Sequence, residues 1–239
     1  MTNWARALLG VHLVCAFGAT ALFWAAALSS KGGGPHRSAG RWFSRAIYGA
    51  AFFGGLLALA ALVAPASVHV PDAAPPLSED TIRQTRQLMW LAFYILVILV
   101  APVQHGLAVV AAGPLPFLLR TRLHASLCLL AMLGSVVLLP ALVAWSQPMW
   151  LVVAPIGFVV GLRQLAYAAR PAATPAEWKR EHLTSLLTAG VVLHTVLFVF
   201  GTSRTAHMQL EGWQAWLPWL LPAAVGVPVL LRLRRSWSG

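Results

Sequence analysis

Imidazole both ligates transition metals and exchanges a proton near neutral pH, and this chain carries eight histidines. His12 and His194 lie inside apolar runs, near what a membrane topology makes their outer ends. His105 sits in the last third of another run, His124 and His182 each open one, and His36 lies in a basic, glycine-rich connector. Ligand-capable side chains are costly inside a membrane and usually face the bundle interior. Two levels of histidine are what a transmembrane b-type cytochrome needs, because haem iron takes axial imidazoles from facing helices. On this expectation His12 and His194 ligate an outer haem b. His105, with one of His124, His182 or His36, ligates an inner one. Gly190 and Gly201 beside His194, and Ala16 and Ala19 after His12, leave room either for a flat macrocycle or for close helix packing. His182 and His194 are about 18 Å apart along one helix and offset by roughly 120°, which suits two separate sites.

The inner group supports a second chemistry. His36, His105, His124 and His182, with Glu181 beside them, could bind zinc, copper or iron. No H-E-x-x-H, C-x-x-C or histidine-box series accompanies them. The stretch from Lys31 through three glycines and Pro35 to His36, Arg37 and Arg41 predicts a tight turn at a membrane interface. Its guanidinium groups suit haem propionates, an anionic substrate or lipid phosphate. Proton transfer by a histidine is compatible with any of these readings. The six acidic residues are all placed outside helix cores, which argues against proton-coupled transport through buried carboxylates and against most hydrolases.

The elements that must position these groups are membrane helices. Hydrophobic residues make up 59% of the chain and charged ones 10%, against about 25% charged in a soluble domain. Runs at 8–28, 46–66, 88–112, 123–145, 149–168, 182–201 and 215–231 approach the roughly 20 apolar residues that a bilayer requires. The last contains Pro218, Pro222 and Pro228 and is the least regular. The expected fold is all-α: an integral membrane bundle of about seven transmembrane helices, forming a single helical domain over residues 1–239. Connectors 31–45, 113–122 and 169–181, the inner end of the fifth run and the C-terminal tail hold thirteen of the 17 basic residues. Arg6, Arg83, Arg86 and Arg204 fall on the other side. Retention of Lys and Arg in the cytoplasm then puts the N-terminus outside and the C-terminus in the cytoplasm. Trp90, Trp145, Trp150, Trp213, Trp216 and Trp219 near the outer ends agree with that frame. The net charge of +11 is spread in short clusters between apolar runs, so it reads as topology and contact with the lipid bilayer, with no nucleic-acid partner. Cys15 and Cys128 both lie in apolar runs and read as small buried thiols, not a disulfide.

Several of these stretches carry a family resemblance. His12, Lys31-Gly-Gly-Gly-Pro-His36-Arg37 with Gly40-Arg41, Gln104-His105-Gly106, Gly161-Leu-Arg163, and Trp178-Lys-Arg-Glu181-His182 with His194-Thr195 resemble domain-of-unknown-function family 2306. The resemblance implies a multi-pass protein of the bacterial cytoplasmic (inner) membrane and supplies no reaction. The expected function is a membrane redox protein working with a redox partner or inside a larger membrane complex. The alternatives are a metal-dependent intramembrane enzyme and a non-catalytic accessory subunit or small-solute carrier.

Overall fold

A computed structural model describes residues 2–69, 77–145, 151, 153–205 and 212–236. Among them there are helices and turns but no strand. The helices are α1 (Asn3–Leu28), α2 (Gly34–Val63), the short α3 (Pro65–His69), α4 (Glu79–Ala112), α5 (Arg122–Ala144), α6 (Ala154–Ala168), α7 (Pro175–Thr205) and α8 (Leu217–Ser236). Six of them contain stretches long and apolar enough to cross a membrane: α1, α2, α4, α5, α7 and α8. The fifth apolar run appears as α6, only 15 residues long and so about 22 Å from end to end. The irregular seventh run is helical, with Pro222 and Pro228 inside α8. Large apolar side chains such as Val14, Phe17, Leu28, Val137 and Val159 stand exposed along the helices, as a lipid-facing surface requires.

The chain divides into two compact units, residues 1–96 and 97–239, with the first half of α4 in one and the second half in the other. In the first, α1 packs along α2. Ala5, Ala16 and Ala19 of α1 are buried, as are Phe43, Ile47, Ala50, Ala58 and Ala61 of α2. Small residues on α2 admit side chains from α1. A methyl group at Gly49 would lie 3.0 Å from Cys15 Sγ, and one at Gly54 would lie 2.8 Å from the His12 ring. Cys15 and Cys128 are both free thiols.

In the second unit α5 packs against α6, and α7 against α8. The buried stripe of α5 is His124, Cys128, Ala131, Ser135, Leu138 and Leu142, steps of three and four that trace one helix face. Gly161 lets α6 approach the backbone of α5, since a methyl group there would lie 2.5 Å from the Cys128 carbonyl oxygen. Ser135 Oγ accepts a hydrogen bond from the Phe158 amide at 2.7 Å. The far end of α6 is closed by Arg120, which donates to the carbonyls of Ala168 and Ala169 at 2.9 and 2.8 Å. Tyr167 and Ala168 then join Val109, Ala112, Leu119 and Ala173 in a small apolar core.

Several helices begin earlier than the apolar runs predict, α2 and α7 among them. The basic connector 31–45 is mostly helix: α2 starts at Gly34 with Pro35 in its first turn, where a missing amide costs nothing. His36, Arg37, Arg41 and Arg45 therefore stand on helix, not loop. The turn itself is at Gly32, with φ +77°. Likewise α7 starts at Pro175, not at His182, because Thr174 and Glu177 form a capping box. The Thr174 amide donates to Glu177 Oε2 at 2.7 Å and the Glu177 amide to Thr174 Oγ1 at 3.3 Å. Hydropathy finds the lipid-spanning part of a helix, whereas caps set where the helix starts.

Candidate functional site: a buried chain of polar side chains

The second unit brings side chains from α4, α5, α6 and α7 into one hydrogen-bonded chain. Its centre is His105, which has no exposed surface, with His124 beside it at 1% exposure. His105 Nδ1 lies 2.8 Å from His124 Nε2, and His105 Nε2 lies 2.9 Å from Glu181 Oε1. The same carboxylate oxygen accepts from Arg163 at 2.6 Å, and a second nitrogen of Arg163 donates to Ser185 Oγ at 3.2 Å. At the other end Cys128 Sγ lies 3.8 Å from His124 Nε2 and donates to Gln164 Oε1 at 3.4 Å. The two imidazoles stack, and the ring of Tyr167 meets His105 edge-on at 5.7 Å.

Local sequence accounts for each placement. Thr121 caps α5 by accepting from the His124 amide at 3.2 Å, which sets His124 in the first turn, one turn before Cys128. On α7 the neighbours Glu181 and His182 address the neighbours His105 and Gly106 of α4. His182 Nδ1 donates to the Gly106 carbonyl at 2.8 Å. Gly106 is small where it must be: a methyl group there would lie 2.8 Å from Leu186. On α6, Arg163 reaches α7 while Gln164 reaches α5, as adjacent positions about 100° apart on a helix allow.

The direction of the chain follows from its acceptors. An ionised Glu181, which also takes a hydrogen bond from Arg163, can only accept, and this assigns the His105 proton to Nε2. Nδ1 of His105 is then the lone pair, and His124 donates to it from Nε2. The chain thus runs from His124 through His105 to Glu181, each link a donor already aimed at the next acceptor. The placement of Glu181 corrects the expectation that no acidic residue lies within a helix core: its side chain is only 13% exposed, on α7. The extension of α7 to Pro175 is what carries it inside.

The remaining expected site residues are arranged differently. His12 Nδ1 donates to the Ala50 carbonyl at 2.8 Å, His36 Nδ1 to Ala26 at 2.9 Å, and His194 Nδ1 to Gly190, one turn back, at 2.7 Å. Lys31 also donates to carbonyls at the end of α1, Ala26 and Ala27, and partial burial lowers its pKa. Arg37 and Arg41 are exposed on the first turns of α2. His207 lies outside the described residues, as does the side chain of His69. Among the described residues no group of three or more His, Cys, Asp or Glu side chains is arranged to hold a metal ion. Sequence reasoning named His105, His124, His182 and Glu181 but gave no role to Cys128, Gln164 or Tyr167. The signals for them were the spacing of His124 and Cys128 by one turn, and of Gln164 and Tyr167 by three residues on α6.

No protein-family model, no curated protein and no solved structure matches this chain.

Proposed function

We propose that this multi-pass membrane protein transfers protons through His124, His105 and Glu181. The supporting observation is that buried His105 has both ring nitrogens on titratable side chains. A proton arriving at His124 Nδ1 lets His124 release its Nε2 proton to His105 Nδ1. His105 then releases its Nε2 proton to Glu181. One proton enters, one reaches the carboxylate, and each ring ends in its other tautomer. Arg163 stabilises the ionised carboxylate that resets the chain, and His182 positions α7 against α4. The proposed topology remains seven crossings of the bacterial inner membrane, N-terminus outside and C-terminus cytoplasmic. Its support is the uneven distribution of Lys and Arg.

The test is proton uptake into liposomes holding the purified chain, driven by a potassium diffusion potential and read by a trapped pH dye. Wild type is expected to exceed empty liposomes. Glu181→Gln and His105→Phe are expected to lose on the order of a hundredfold, the scale of a positioned proton-transfer group. Wild-type flux equal to that of empty liposomes would sink the proposal.

Haem ligation is supported by a separate observation. His12 and His36 both place Nδ1 on a carbonyl, which fixes the tautomer that makes Nε2 the ligating atom. A reduced-minus-oxidised visible spectrum tests it. Sharp α-bands lost in His12→Ala or His194→Ala would favour a b-type cytochrome with a redox partner, whereas a flat spectrum with adequate haem supply would remove that reading.

A further inference from the structure

Two polar atoms next to the relay are left without partners. Gln164 is wholly buried and Tyr167 is 5% exposed. Neither Gln164 Nε2 nor Tyr167 Oη has a hydrogen-bond partner among the described residues. A buried amide or hydroxyl without a partner is strongly disfavoured, and buried side-chain polar atoms are in large majority satisfied by protein or by ordered water. The two residues are three apart on α6, so their side chains leave the helix on the same face. Both border the relay. Gln164 Oε1 accepts from Cys128, which abuts His124, and the ring of Tyr167 packs on His105.

The chemistry of the pair selects the ligand. The amide nitrogen offers only donors, and the phenol both donates and accepts. A molecule serving both must accept one hydrogen bond and exchange a second in either direction. It must also be small enough for the interior of the α5–α6 packing. Water fits these demands, and internal waters commonly occupy such places with two to four polar partners.

We infer that Gln164 and Tyr167 hold internal water beside the His124–His105 pair. The Cys128 thiol donates to Gln164 Oε1, so the amide nitrogen is the end of Gln164 left for the water.

Tyr167→Phe in the purified full chain tests the site. It keeps the ring that meets His105 and lies 5.6 Å from the Arg170 guanidinium, and removes only the hydroxyl. If water satisfies that hydroxyl, the variant melts about 2–4 °C lower, the shift of losing one net hydrogen bond in a chain of this size. An unchanged or higher melting temperature means the hydroxyl was an orphan and overturns the site. A map at a resolution that resolves waters is the second measurement. Density of water size within hydrogen-bond distance of Gln164 Nε2 and Tyr167 Oη supports the site, whereas none, or a larger molecule, overturns it.

Discussion

Histidine is used in two opposite ways, and the contrast is plainest between His12 and His36 in one unit and His105 in the other. In residues 1–96, His12 and His36 each rest a ring nitrogen on a backbone carbonyl, from Ala50 and Ala26. A carbonyl cannot give up or take on a proton, so each of these bonds has one stable arrangement. In residues 97–239, His105 bridges His124 and Glu181. Both partners are titratable, so a proton can occupy either side of each bond. An imidazole in an apolar helix is therefore a packing and capping group in one setting and a relay element in another. The atom it faces decides which.

The sharpest way to break this contrast is at Glu181. Glu181→Ala leaves Arg163, itself 29% exposed, and His105 without their shared acceptor. Because Arg163 keeps partial hydration, the expected loss is about 2–3 kcal/mol, below the usual cost of breaking a fully buried pair. Chemical denaturation in detergent measures it, and a loss under half a kcal/mol would show that the carboxylate bears no ion pair.

The packing that holds the relay is next. Gly161→Ala forces a methyl group onto the backbone carbonyl of Cys128, which cannot rotate away. It is expected to cost about 1–3 kcal/mol and to lower proton flux, because it pushes α6 from α5. Gly54→Ala meets the ring of His12, a side chain that can yield, and is expected to cost about 1 kcal/mol with flux intact. Equal flux loss in the two variants would erase the distinction between the units.

The smallest expected effect is that of His12→Phe. One hydrogen bond to the Ala50 carbonyl is lost while the ring volume is kept, at about 1 kcal/mol of stability, and proton flux stays at the wild-type level. Flux falling as far as in His105→Phe would instead place His12 in the proton path.

How much of this was legible in the sequence differs by level. The membrane helices were readable because span length and hydrophobicity are local properties. The helix starts were only partly read. The Thr174-Pro-Ala-Glu177 box is visible in the sequence, but attention to hydropathy alone placed the start of α7 at His182 and left Glu181 outside. Among the site residues, His105, His124 and His182 stood out as histidines near apolar segments. Cys128, Gln164 and Tyr167 did not, since an apolar-looking stripe at helical spacing is ordinarily core.

By itself the sequence determined an all-helical chain of apolar stretches able to cross a bilayer, because in lipid a run of about twenty apolar residues satisfies its backbone within one helix. It also determined which residues could ligate or titrate. Only the tertiary structure decided which histidine faces a carbonyl and which faces a carboxylate. The two pairings of His105 join residues 19 and 76 positions apart, and depend on where Gly106 and Gly161 let helices approach. No pattern within a single helix specifies that approach, because it is set by the shapes of two surfaces meeting.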